Sequence, residues 1–260
     1  MANKYKDNAR KLNAQEGEIV LTYGVDFINN PNVKPHRHNQ ERPYLVLHKE
    51  ESGKFLALKM TSKIRGYMSE FKIYPKDYEN SSILTRPSAA DTRFIYELEG
   101  TDIIKNGFVL PEKEIDNLYS KIINLYCLDE SETKKEQVKI IFDKYMNNRT
   151  IIPGTVLKVR YRKEYLFVIE ITEENYVCVP LYREKNKNTH GSINLFKEPS
   201  YIDFNEEYTI SKKDICYIMR FRSDEDSTNY VLGRVNSRRR YHENQQSNDN
   251  LKKSLISNEN

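Results

Sequence analysis

Two passages of this sequence lie over each other without a gap, RPYLVLHKEESGKFLALKMTSK (42–63) and KEYLFVIEITEENYVCVPLYRE (163–184). Each is an apolar run of strand length, a polar turn and a second apolar run, the pattern of a β-hairpin. Tyr44 falls on Tyr165, Leu45 on Leu166, Leu58 on Val179 and Met60 on Leu181. A hairpin repeated in both halves argues for two small β-rich units rather than one domain. Composition agrees, since 38% apolar residues over 260 positions is low for one large core but expected of two small ones.

Around the repeat, the first half reads as a strand after Gly17 (Glu18-Ile-Val-Leu-Thr-Tyr), a long turn-rich loop over 24–41, the hairpin with Gly53 in its turn, and further strands at Phe71–Tyr74 and Thr92–Leu98. That is a small barrel or curled sheet. Pro111 then opens a helix with Ile115, Leu118, Ile122 and Leu125 at helical spacing, and Val138, Ile141, Phe142 and Tyr145 mark a second. Short strands return after Pro153-Gly154, and the polar stretch after about residue 236 has too few apolar side chains to pack. The expected fold class is α+β, mainly β. The expected divisions are a barrel with its helix over 16–128, a connecting helix over 129–150, a second barrel over 151–235 and a disordered tail over 236–260.

Several function classes drop out. No run approaches the roughly 20 apolar residues of a membrane-spanning helix, and the polar first residues lack a secretory core, so a soluble cytoplasmic protein is expected. Cys127, Cys178 and Cys216 are far apart without CxxC spacing, which reads as buried free thiols. There is no GxSxG, HExxH or Gly-rich phosphate loop. No metal and no cofactor are expected. Net charge is only +4, but cations cluster at Lys34–Arg42, Lys59–Arg65, Arg160–Lys163 and Arg238–Arg240, an arrangement that permits an anionic partner.

Strand alternation places Leu45, Leu47, Leu56, Leu58 and Met60 toward a core, with Arg42, Tyr44, Val46, His48, Phe55, Ala57, Lys59 and Thr61 opposite. In an antiparallel hairpin the first residue of one strand sits beside the last of the other. Arg42 and Thr61 therefore approach each other, with Lys59, Lys63 and Arg65 around them, which suits a phosphodiester. The loop carrying Lys34, His36, Arg37 and His38 reads as a lid able to contact RNA, and Tyr44, Tyr67 and Phe55 as rings for stacking on unpaired bases.

Gly17-Glu-Ile-Val-Leu, the long loop, Arg42-Pro43-Tyr-Leu-Val-Leu and Leu58-Lys-Met-Thr61-Ser62, followed by Asp91-Thr-Arg-Phe-Ile95, Gly107 and a helix from Pro111, resemble the MazF/PemK endoribonuclease toxins over about residues 16–127. The resemblance implies an SH3-like barrel, metal-independent cleavage of single-stranded RNA and inhibition by an antitoxin, protein or RNA. It also implies Arg42 and Thr61 as the catalytic pair; around them Lys34, His36, Arg37, His38, Tyr44, Lys59, Ser62, Lys63 and Arg65 are the residues expected to contact RNA. His36, His38 or His48 is the candidate base, since an arginine gives up a proton only at great cost.

The second half departs from the pattern, with Lys163-Glu164 in place of Arg-Pro and Tyr182-Arg183 in place of Thr-Ser. It reads as a degenerate barrel without its own site, leaving either a monomer that is an internal pseudo-dimer or a homodimer. The alternatives to an RNA-cleaving toxin are a non-catalytic module binding RNA, DNA or protein, and a scaffold that binds no nucleic acid.

Overall fold

The computed structural model describes residues 12–23, 41–78, 82–128, 131–195 and 198–257. It divides into two compact units, Met1–Arg149 and Thr150–Asn260. Both are built on antiparallel sheets, and with three α-helices among the described residues the chain is α+β and mainly β. No helix among the described residues is long and apolar enough to cross a membrane.

In the first unit the strands are β1 (Glu18–Tyr23), β2 (Glu41–Lys49), β3 (Phe55–Thr61), β4 (Glu70–Ile73), β5 (Ser88–Leu98) and β6 (Ile103–Val109), in the sheet order β4-β5-β3-β2-β1-β6. Two helices follow, α1 (Glu112–Cys127) and α2 (Lys135–Met146). Their apolar stripes meet the core as the periodicity predicts, with Leu118, Ile122, Leu125, Val138, Ile141, Phe142 and Tyr145 all buried. The expected connecting helix is part of this unit. Thr133, just before α2, donates its hydroxyl to the Arg93 carbonyl of β5 at 2.6 Å. Arg149, just after α2, forms a two-pronged pair with Asp116 of α1, both contacts 2.8 Å.

The centre of this sheet is buried on both faces, which strand alternation alone does not foresee. Tyr44, Val46, Phe55 and Ala57 were expected to face outward, but they pack with Ala14, Val20, Leu98 and Ile103 in one apolar cluster. The segment before β1, through Ala14 and Leu12, and Tyr96 of β5 cover them. Tyr44 is fully buried and meets Tyr96 edge to face at 5.6 Å between ring centres. It cannot stack on a base, and neither can the buried Phe55. On the other face Tyr119 of α1 donates to the Leu47 carbonyl at 2.8 Å.

The second unit contains β7 (Thr155–Val159), β8 (Tyr165–Ile171), β9 (Asn175–Tyr182), β10 (Gly191–Leu195), β11 (Glu198–Ile202), β12 (Tyr208–Ser211), β13 (Cys216–Arg222) and α3 (Glu225–Ser257). Its sheet order is β10-β11-β9-β8-β7-β13, with β12 also pairing with β9. The tail expected to be disordered from residue 236 is thus helical to Ser257. The reason lies just upstream, where Val231 and Val235, one turn apart, enter the apolar core of this unit. Arg239 then pairs with Glu170 at 2.9 Å and Glu207 at 2.6 Å, so part of the Arg238–Arg240 cluster is spent on holding the helix to its own unit.

The two units repeat one hydrogen-bonding plan. Gly17 and Gly154 both have left-handed backbone, φ 77° and 89°. Gly17 donates its N–H to the Val46 carbonyl at 2.8 Å and accepts from the Leu110 N–H at 2.9 Å; Gly154 donates to Val168 at 2.9 Å and accepts from Ser223 at 3.2 Å. A β-bulge follows Val46 in β2 and Val168 in β8. These landmarks correct the gapless superposition. Lys49 faces Phe55 across five turn residues, whereas Ile171 faces Tyr176 across four. Along the leading strand the match therefore slips by one, so Tyr44 corresponds to Leu166 and Arg42 to Glu164, while Thr61 still corresponds to Tyr182.

All three cysteines are free and buried. Burial pushes the Cys178 thiol up to about 12, well away from reactive thiolate.

Candidate active site

At the end of the β2–β3 ladder the sheet emerges from its cover. Tyr44 faces Lys59 at the last pair of the ladder, and Arg42 and Thr61 lie two residues beyond it on their strands, where the same antiparallel register would bring them side by side. An open cleft of about 510 Å³ lies here, lined by both residues together with Pro43, Met60, Ser62, Lys63, Ile83, Leu84, Thr85, Arg86 and Ser88. Four of the sequence-predicted residues, Arg42, Thr61, Ser62 and Lys63, meet in one concavity. Lys59, Arg65 and the buried Tyr44 are not among its lining, and Lys34, His36, Arg37 and His38 fall outside the described residues.

Local chemistry orients the groups. Pro43 lies within β2 opposite Leu21 and keeps the preceding Arg42 extended at the strand's entry. Arg42 in turn faces Thr22 of β1, whose hydroxyl lies 3.4 Å from the Arg42 carbonyl. The Thr61 oxygen accepts the Lys63 N–H at 3.1 Å, which fixes the side chain and directs its own proton elsewhere. The lining thus offers two guanidiniums, an ammonium and four hydroxyls. Such a set can neutralise a phosphoryl group and donate hydrogen bonds to its oxygens.

Arg86 is the cleft residue that the sequence reading missed. A signal was present. Arg86-Pro87 precedes β5 just as Arg42-Pro43 opens β2, and in both places the proline disfavours helical backbone at the arginine before it. Ser88 is anchored beside it by its hydroxyl bond to the Arg86 carbonyl, 3.1 Å.

His48 cannot act at this cleft. It is six residues along β2 from Arg42, about 20 Å at strand spacing, and its Nδ1 is 3.0 Å from Glu16 Oε1. Glu16 also receives Lys144 at 2.5 Å. Burial opposes ionisation of Glu16, but the hydrogen bonds from Lys144 and His48 and their charges outweigh it and hold the carboxyl below its ordinary value.

The loop after Thr61 is organised by one carboxylate. Glu70 accepts the Arg65 N–H at 2.8 and 3.0 Å and the Gly66 N–H at 2.7 Å. Burial acts against its ionisation, but these bonds, with help from Tyr67 and the charge of Lys72, lower its pKa below the ordinary 4.5. A depressed carboxyl stabilises the fold fully above its unfolded pKa, and that contribution is lost as pH falls through the lower folded value. Glu70→Gln should therefore cost about 1 kcal/mol at neutral pH and lessen the loss of stability between pH 5 and 3. Thermal melts across that range check it; parallel curves for the two proteins would refute the role.

No family model matches the chain. No curated protein matches either. Among solved structures, the Mycobacterium tuberculosis toxin MazF-mt6 aligns at 18% identity and a TM-score of 0.32, over 42% of this chain and 95% of the toxin.

Proposed function

We propose that the first unit is a metal-independent endoribonuclease that cleaves single-stranded RNA through the substrate's own 2′-OH, and that the chain is the toxin of a cytoplasmic toxin–antitoxin pair. The observation that carries this reading is the convergence of Arg42 and Thr61, with Lys63 and Arg86, on one cleft at the sheet's end. The order of Gly17, Arg42-Pro43 and Thr61-Ser62 in the sequence supports it. The sheet would close as an SH3-like barrel.

In this chemistry the 2′-oxygen bonds to the adjacent phosphorus and the P–O5′ bond breaks. A proton leaves the 2′-OH and another is taken up by O5′. The intermediate phosphorane carries more negative charge than the starting diester, and preorganised donors around it lower the barrier. Arg42 meets two of its oxygens with the fork of its guanidinium, while Thr61, held by the Lys63 N–H, donates to one of them. Lys63 and Arg86 hold the flanking phosphates, and Ser62 adds a hydroxyl. A bound antitoxin, protein or RNA, would block this cleft.

Digestion of total RNA, followed by mapping of the new ends, tests the proposal. Fragments ending in a 2′,3′-cyclic phosphate and beginning with a 5′-hydroxyl are expected. A 5′-phosphate would mean attack by water and overturn the mechanism; binding without cleavage would favour a non-catalytic module.

A further inference from the structure

We infer that the turn joining β7 to β8 is a second contact for single-stranded nucleic acid, a stacking platform carried by the second unit. The inference goes beyond the proposed cleavage and does not depend on it.

The turn is built in an unusual way. The Arg162 N–H reaches back to the Val159 carbonyl at 3.4 Å, closing a β-turn with Tyr161 at its third position. Tyr161 has φ 65°, the one positive value among the described non-glycine residues. This is the turn position that glycine normally fills, because a Cβ there crowds the backbone. The strain is not relieved by burial of the ring, since Tyr161 is 79% exposed, more than any other large apolar side chain described.

The surroundings keep the ring in place. Lys158 is buried, and its ammonium donates to the Arg162 carbonyl and, at 3.4 Å, to that of Lys163, tying down the turn from beneath. Arg160 lies over the Tyr161 ring with its guanidinium carbon 5.0 Å from the ring centre. Arg162 is directed elsewhere, to Glu164 at 3.1 Å and over Tyr208 at 4.1 Å. Arg160 is the cation over the ring, and Lys163, two residues along the chain, is exposed.

An exposed aromatic ring backed by a guanidinium, with an exposed lysine two residues along the chain, matches the repeat of a single strand, a flat base joined to a phosphate. An acidic peptide would use the cations but would give no reason for a strained, exposed ring. A base stacked on Tyr161 with its phosphates near Arg160 and Lys163 uses both.

The test is anisotropy of a fluorescein-labelled, fully 2′-O-methylated 12-mer, which has no 2′-OH to attack, titrated with the full chain. Tyr161→Gly removes the ring while giving the turn its preferred residue, so the variant should melt no lower than the native protein. Its affinity should fall about tenfold or more, the scale of one lost base–aromatic stack, while Tyr161→Phe binds as the native chain does. Lys163→Ala should weaken binding and flatten its salt dependence. Affinity of Tyr161→Gly within twofold of native, or no binding of the 12-mer at 50 mM salt, overturns the inference. If the native chain cleaves no RNA yet binds the 12-mer through Tyr161, the ribonuclease proposal fails and this one stands.

Discussion

Arg42→Ala is expected to lower the rate of RNA cleavage by about 10³-fold, a loss of some 4 kcal/mol of transition-state stabilisation. Arginine can contact two phosphoryl oxygens at once, and no other lining residue opposite Thr61 can replace that geometry. Arg42→Lys should recover only part of the rate, because an ammonium supplies charge but not the planar fork. Thr61→Ala should cost about 10- to 100-fold and Thr61→Ser much less, since serine keeps the hydroxyl that the Lys63 N–H orients. Arg42 is partly exposed at the strand's entry, so its removal should leave the melting temperature nearly unchanged. Single-turnover cleavage of a labelled oligoribonucleotide, with melts in parallel, separates chemistry from folding. Native rates in Arg42→Ala would exclude this cleft as the reacting centre.

The largest effect on stability is expected at Gly17. Its left-handed φ of 77° penalises any side chain by about 1–2 kcal/mol. A Cβ there would also overlap Ile115 Cδ1 and lie 2.9 Å from Ile115 Cγ1, and such overpacking adds roughly 1–3 kcal/mol. Gly17→Ala should therefore cost about 2–5 kcal/mol, a large share of the roughly 5–15 kcal/mol that holds a typical domain together. Gly66 supplies the control. Its φ is also left-handed, at 80°, but nothing lies within 4 Å of a Cβ built there. Gly66→Ala should lose only the backbone part. Urea unfolding of both variants gives the comparison, and equal midpoints would show that the approach of α1 to Gly17 does not limit the fold.

Much of this architecture was legible in the sequence where a single period decides the outcome. The stripes of α1 and α2 survive because helical spacing fixes which side chains meet the core. The hairpins survive because Gly53 and the polar turns interrupt runs of strand length. What alternation cannot report is what covers the second face. Tyr44 was misread for that reason: Leu12, Ala14 and Tyr96, distant in sequence, shield a surface that the hairpin alone would leave open. Sliding one hairpin over the other failed by one residue because a turn shortened by one leaves both apolar patterns intact. Only the bulges and the glycine hydrogen bonds reveal the slip. Arg42, Thr61, Ser62 and Lys63 were legible because they end adjacent strands. Arg86 was not, because β4 and β5 first had to bring a distant Arg-Pro to the same edge.

The corrected match between the units separates scaffold from chemistry. Gly17 and Gly154 occupy equivalent knots of backbone, each pressed by a following helix through Ile115 or Thr228, and neither position tolerates much change. Around the cleft the reverse holds: Arg42 has become Glu164, Thr61 Tyr182 and Lys63 Glu184, with the strands undisturbed. At these positions the second unit has exchanged two cations for carboxylates and a threonine for a tyrosine while keeping the same backbone, and its Glu164 is held by Arg162 at 3.1 Å, so the fold outlasts the loss of the groups that line the cleft.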